Sequence, residues 1–223
     1  MQLKNIVPWG RNLNEYQSMF NLTDDDLRLR ILGCGDGPSS FNAEVHELGG
    51  SVVSVDPIYQ FSKDDLSKRI EEVKDEVMAQ VREHAGDFVW KNIKNPNVLK
   101  SVRMDAMAKF LDDFEQGKSE GRYIHEMLPS LSFGSKTFDL ALSSHFLFLY
   151  SGHLDFAFHL SSVREMLRVA KEVRIFPLVT LENHRSPHLE KIIRVLQEKG
   201  FETKIIKTDY EFQKGADEML VVA

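Results

Sequence analysis

ILGCGDGPSSF, residues 31–41, joins an apolar strand-like run to three glycines at alternate positions, then to a proline and a helical pattern. Glycine permits positive φ and lets another group approach the backbone closely. A helix start beyond such a turn offers backbone N–H groups and the positive end of a dipole. The stretch predicts a strand–turn–helix corner at Gly33, Gly35 and Gly37, with an anionic or strongly accepting ligand group seated against it. A glycine-rich turn by itself is also no more than a tight turn, so the segments around it decide the reading.

Working outward, LRLRILG (27–33) reads as a buried strand. The helix after the turn has Phe41, Val45 and Leu48 on one face, Pro38 in its first turn and Gly49–Gly50 as its stop. SVVSVD (51–56), rich in β-branched residues, is the second strand. KDDLSKRIEEVKDEVMAQVREH is a charged helix whose stripe of Leu66, Ile70, Val73, Val77 and Val81 packs on the sheet or forms a lid. LKSVRMDAM (99–107) reads as a third strand, and 110–135 as mixed helix and loop.

TFDLALSSHFLFLYS (137–151) holds the fourth strand, ending near Ser143 or Ser144. The next helix turns Leu160, Val163 and Leu167 inward, and a fifth strand stops near Pro177. A helix from an N-cap at Ser186 to a stop at Gly200 precedes two strands close enough to pair as an antiparallel hairpin. Right-handed crossovers then give a three-layer α/β/α sandwich. Its seven-stranded sheet is mostly parallel and closes with that C-terminal antiparallel hairpin. Ligands in such sheets sit outside the carboxyl ends of the strands.

The 223 residues suit one domain, 1–223, with 1–26 as an N-terminal lid or anchor segment. Hydrophobic residues make up 42% and charged residues 28%, the balance of an ordinary globule, and the net charge of −6 argues against nucleic acid as a partner. One cysteine, Cys34, excludes an internal disulfide and a Cys-rich zinc site. The N-terminal residues lack an apolar signal core, and no apolar run reaches ~18 residues. A cytoplasmic enzyme-sized domain is the expectation; oligomeric state is not readable.

Two acids add to the turn. Asp56 ends the second strand about twenty residues past the glycines, where a carboxylate accepts both hydroxyls of a ribose; alone, it is equally a solvated loop acid. Asp105, in RMDAM, is expected at a third strand end, accepting the amine of an adenine with Ala106 and Met107 beside the ring. The spacing is G-x-G-x-G, with Pro38 where a dinucleotide turn carries its third glycine. That favours an adenosine ligand without a pyrophosphate.

ILGCGDG, SVVSVD, RMDAM and FDLALSSH together resemble the motif series of class I S-adenosylmethionine-dependent methyltransferases, over residues 27–223. The resemblance implies S-adenosyl-L-methionine as cofactor and methyl transfer to an unidentified small-molecule acceptor. It places Gly33, Cys34, Gly35, Asp36 and Gly37 at the methionine end, Asp56 and Pro57 at the ribose, and Asp105, Ala106 and Met107 at the adenine. Ser143 joins this set from the end of the fourth strand. His145, one turn further, is the expected acceptor-side catalytic group.

The sequence departs from the family pattern at Ile31, where an acid usually stands two positions before the first glycine; its absence lowers the expected cofactor affinity or means that another group substitutes. Arg11 and Tyr16 are expected over the cofactor's carboxylate, or Trp9 and Phe20 simply anchor the segment. The family's Asn-Pro-Pro-aromatic signature is absent after the fourth strand, which argues against nucleobase or glutamine nitrogen as acceptor. His153, His184 and His188 are expected at the mouth of the acceptor pocket, without a metal. Two competing readings share the fold: a dinucleotide-dependent oxidoreductase, opposed by the glycine spacing, and a non-catalytic binding domain, to which Ile31 lends weight.

Overall fold

The computed structural model describes residues 9–223. Of the expected N-terminal lid or anchor, residues 1–8 therefore lie outside the described residues. The centre of the molecule is β1 (Arg30–Cys34), flanked in parallel by β2 (Ser51–Val55) and β4 (Phe138–Ser144). With β3 (Tyr123–Ile124), β5 (Ala170–Phe176), β6 (Thr203–Lys207) and β7 (Glu218–Val222), the sheet runs β3-β2-β1-β4-β5-β7-β6. Only β7 runs against its neighbours, pairing antiparallel with both β5 and β6. This is the mostly parallel seven-stranded sheet with a closing antiparallel hairpin that the sequence predicts.

Alternation along the strands divides the core in two. Ile31, Val52, Leu140 and Leu142 face α1 (Leu13–Phe20) and α2 (Phe41–Glu47), meeting Tyr16, Met19, Phe20, Phe41 and Val45. Leu32, Cys34, Ala141 and Val173 face the other way, toward Val163 and Met166 of α5 (Phe156–Val169) and Leu189 and Ile192 of α6 (Leu189–Glu198). Ile31 thus lies under α1 and α2, in a site that admits no charge. A capping box between Asn12 and Glu15 starts α1. Among the described residues no helix is long and apolar enough to cross a membrane.

The expected third strand is the main correction. Residues 99–107 lie inside α4 (Pro96–Ser119), which Asn95 caps and Pro96 opens. Leu99, Arg103, Ala106, Met107, Phe110 and Phe114 are buried at helical spacing, and that period outlasts the brief alternation seen in LKSVRMDAM. The true β3 has two residues, paired with Ser54 and Val55. The stripe on α3 (Lys63–Glu83) is buried as expected, but against α4 and its surroundings rather than on the sheet. Leu48, expected inward, is 68% exposed because α2 ends one residue earlier. Leu160 is half-buried beside the fully buried Val163 and Leu167. His188 rather than Ser186 occupies the N-cap of α6, with Ser186 Oγ accepting from its N–H at 3.3 Å.

Candidate active site

A cavity of about 370 Å³ opens at the carboxyl ends of β1, β2 and β4. Gly35 and Gly37 form part of its floor. Gly35 has φ +70°, donates to Val55 O at 2.9 Å and lies so near the Phe146 ring that a Cβ would meet it at 2.8 Å. Several amides expected to be free for a ligand are engaged. Gly37 N–H donates to Asp56 Oδ2 at 2.9 Å, Ser40 N–H to Arg11 O at 3.1 Å, and Phe41 N–H to Ser39 Oγ at 3.1 Å.

Asp56 is buried, not a solvated loop acid. Its Oδ1 accepts Ile58 N–H at 2.9 Å while Oδ2 holds the glycine turn, so β2 and the turn are locked together through one carboxylate. Each oxygen keeps a lone pair for another donor. Burial raises its pKa, against the pull of the two amides. Pro57 and Ile58 follow it along the wall.

Asp36 turns its carboxylate back beneath the turn. A Cβ on Gly33 would coincide with that carboxylate, so the first glycine is required by an acid of the same loop. Oδ1 accepts the Tyr16 hydroxyl at 2.9 Å and Oδ2 the Ser54 hydroxyl at 2.6 Å. Burial lifts the pKa to about 6, although both hydroxyls favour the charged form. Asp36 still lines the cavity.

Asp105 does not join them. It is exposed on α4, with Ser101 Oγ donating to it at 3.3 Å. Ala106 and Met107 are buried on that helix and contribute no wall to the cavity. Cys34 and Gly33 lie within β1; the Cys34 side chain packs toward α5, its thiol pushed far up by burial. Ser143 is also buried outside the cavity, and Ser144 takes its place in the wall. The third edge is supplied by Met127 and Leu128, just beyond the real β3. Their neighbour Glu126 is engaged by the Ser132 N–H (3.0 Å) and hydroxyl. The position was recoverable from MLPSLSF lying shortly before FDLAL, but a two-residue strand leaves almost no periodic signal.

Arg11, Arg103 and His145 form the far wall. Arg103, 1% exposed, is ion-paired with Glu15, whose other oxygen accepts Tyr210 O–H at 2.9 Å. Burial alone would raise the Glu15 pKa; Arg103 reverses that and holds it low. Arg11 forms no such ion pair among the described residues, Glu15 acting on it only at longer range. Its Nη1 donates to Trp9 O at 3.1 Å, its Nε is sealed from solvent without a partner, and burial with neighbouring Arg103 lowers its pKa.

His145 sits at φ +51°, outside ordinary strand geometry, with its N–H donating to Phe176 O at 2.7 Å. The Ser144 hydroxyl lies 3.0 Å from His145 Nδ1 and 3.7 Å from Met19 Sδ, tying the imidazole to the end of β4. Burial, then Arg11 and Arg103, push the imidazole pKa well below its usual value and keep it neutral.

The roof is apolar: Trp9, Val77, Val81, Phe88, Leu99 and Phe212. It is tied across the sheet edge by Val89 N–H to Phe212 O at 2.7 Å and Lys214 N–H to Asp87 O at 2.9 Å. The α3 stripe therefore both packs and covers the site. His153, His184 and His188 are not part of the wall: His153 packs on Tyr150, His184 lies in a turn, and His188 contacts Leu154 O and His159. Among the described residues no group of three or more His, Cys, Asp or Glu could hold a metal ion.

No family model matches the chain. A protein of Methanocaldococcus jannaschii, described as the uncharacterized protein MJ0045, is 34% identical over 223 residues, covering 100% of this chain and 98% of its own. The chain belongs to the MJ0045 family. Likeness to solved structures is much more distant. A S-adenosylmethionine-dependent methyltransferase from Aquifex aeolicus is 10% identical, covering 93% of this chain and 92% of its own, with a TM-score of 0.45. The magnesium protoporphyrin IX methyltransferase of Synechocystis, solved with bound cofactor, is 11% identical over 89% and 72%, at 0.46. A methyltransferase from Methanosarcina mazei is 15% identical over 88% and 91%, at 0.44.

Proposed function

We propose that this MJ0045-family chain transfers a methyl group from S-adenosyl-L-methionine to a small-molecule acceptor. One observation carries the reading: a buried carboxylate at the tip of β2, Asp56, grips the glycine turn of β1 inside a single hollow. The residues present fit the cofactor. Asp56 has acceptor capacity left for two ribose hydroxyls, and Pro57, Ile58, Met127 and Leu128 make an apolar seat for a base. Arg11 offers a half-buried guanidinium to a carboxylate, its Nε without a partner among the described residues. Tyr16, expected to share that task, is committed to Asp36.

Bound there, the cofactor supplies a sulfonium methyl open to direct displacement. The chain's part is to hold the reactants in line and exclude water. The His145 imidazole, neutral at pH 7, accepts a proton from the acceptor atom as that atom becomes nucleophilic. Aromatic and aliphatic side chains close the space around it, which suits a small, largely apolar acceptor. Incubation with methyl-labelled cofactor and a metabolite extract, read by mass spectrometry, should give a labelled small molecule. No transfer, together with no binding of S-adenosylhomocysteine, would contradict the reading.

A further inference from the structure

We infer that Asp36 receives the ammonium group of the cofactor's amino-acid tail, and that its protonation sets the pH range in which the tail is held. The inference rests on the methyl-transfer reading above and concerns which acid serves the methionine end when Ile31 fills the usual position. The geometry singles out Asp36. Asp36 is 7% exposed and lines the cavity, and its carboxylate lies against Gly33 where no side chain intervenes. That carboxylate accepts two hydroxyl hydrogen bonds and has no cationic partner among the described residues. Arg11, whose carbonyl accepts from Ser40 N–H, is the reciprocal case: a half-buried guanidinium whose Nε has no partner and which forms no ion pair among the described residues. A zwitterion presented to this corner satisfies both.

Three of the groups packed round Asp36 do not change charge near pH 6. Tyr16 from α1 and Tyr59 from the turn after β2 have hydroxyls raised far above their usual values by burial, and so does the Cys34 thiol of β1; all stay neutral. Asp56, the other acid in reach, opposes ionisation of Asp36 through its own charge. Below about pH 6 Asp36 carries a proton in the empty site and must lose it to meet an ammonium group. Tail recognition therefore weakens by up to roughly tenfold per pH unit on the acid side and levels off above it.

Calorimetric titration with S-adenosylhomocysteine and with 5′-methylthioadenosine, which share the nucleoside but not the tail, reads this directly. The ratio of the two affinities cancels any titration of Asp56 at the ribose. In the wild-type chain the ratio should fall as pH drops from 7.5 to 5. In Asp36→Asn it should be smaller by roughly tenfold to a hundredfold at pH 7.5 and flat with pH, while 5′-methylthioadenosine binds within about threefold of wild type. Tyr16→Phe keeps the carboxylate but removes a donor that favours its charged form, so the midpoint should move upward. A ratio that is independent of pH and unchanged in Asp36→Asn overturns the role of Asp36 while leaving methyl transfer standing. Failure of the wild-type chain to bind S-adenosylhomocysteine at any pH overturns both.

Discussion

Asp36 works against the stability of the empty protein. Its pKa is about 6 in the folded chain against an ordinary 3.8. Between those values the folded state holds a proton that the unfolded chain has released, so this group's contribution declines as pH rises and reaches its full deficit above pH 6, of about 3 kcal/mol. The ligand-free Asp36→Asn chain should therefore be the more stable of the two at pH 7.5 and lose that advantage near pH 4; equal denaturation midpoints at both pH values would refute it. Asp56 behaves differently, because two backbone amides already sit on it. Asp56→Ala should weaken S-adenosylhomocysteine binding by ~1–3 kcal/mol, measured by titration calorimetry. His145→Ala should slow turnover while that affinity stays within about threefold, since its contacts are on the acceptor side. Because the imidazole stays neutral to well below pH 6.5, its protonation should not produce a fall in rate on going from pH 7.5 to 6.5.

At the scale of elements, α1 and α4 are joined by a charge pair that has no solvent to fall back on. Arg103 and Glu15 are 1% and 7% exposed. Glu15→Gln leaves the guanidinium buried without a counter-ion and should destabilise the chain by about 3–5 kcal/mol in denaturant unfolding. A loss under 1 kcal/mol would mean that Tyr210 or water suffices for Arg103. This pair also explains why the sequence misleads around residue 100. Arg103 and Asp105 make RMDAM look like a polar strand tip, whereas the arginine points inward from a helix to an acid 88 residues away. Nothing local distinguishes the two. The start signal Asn95–Pro96 and the continuing period to Phe114 do, but only when read over the whole of α4. The first corner was legible because strand, glycines and helix are contiguous there. Asp36 was legible as a member of the turn, but not its inward orientation, which depends on Tyr16 and Ser54 arriving from other elements.

For the whole molecule, the mostly parallel sheet and the closing hairpin followed from alternation of apolar runs, since each β–α unit writes its own period into the sequence. The adenine edge did not, because a two-residue β3 has no period to write. The enclosed roof was equally hidden: it is made where α3, α4, the segment after α3 and the β6–β7 connection meet across the sheet. That closure gives the site its character, an enclosed hollow whose walls carry Asp56, Asp36, Arg11 and a neutral His145 imidazole. A crystal structure with S-adenosylhomocysteine tests this most directly. The account predicts ribose hydroxyls on Asp56, the tail between Asp36 and Arg11, and the thioether sulfur facing His145. A ligand bound elsewhere, with Asp56 touching only the amides of Gly37 and Ile58, would contradict it.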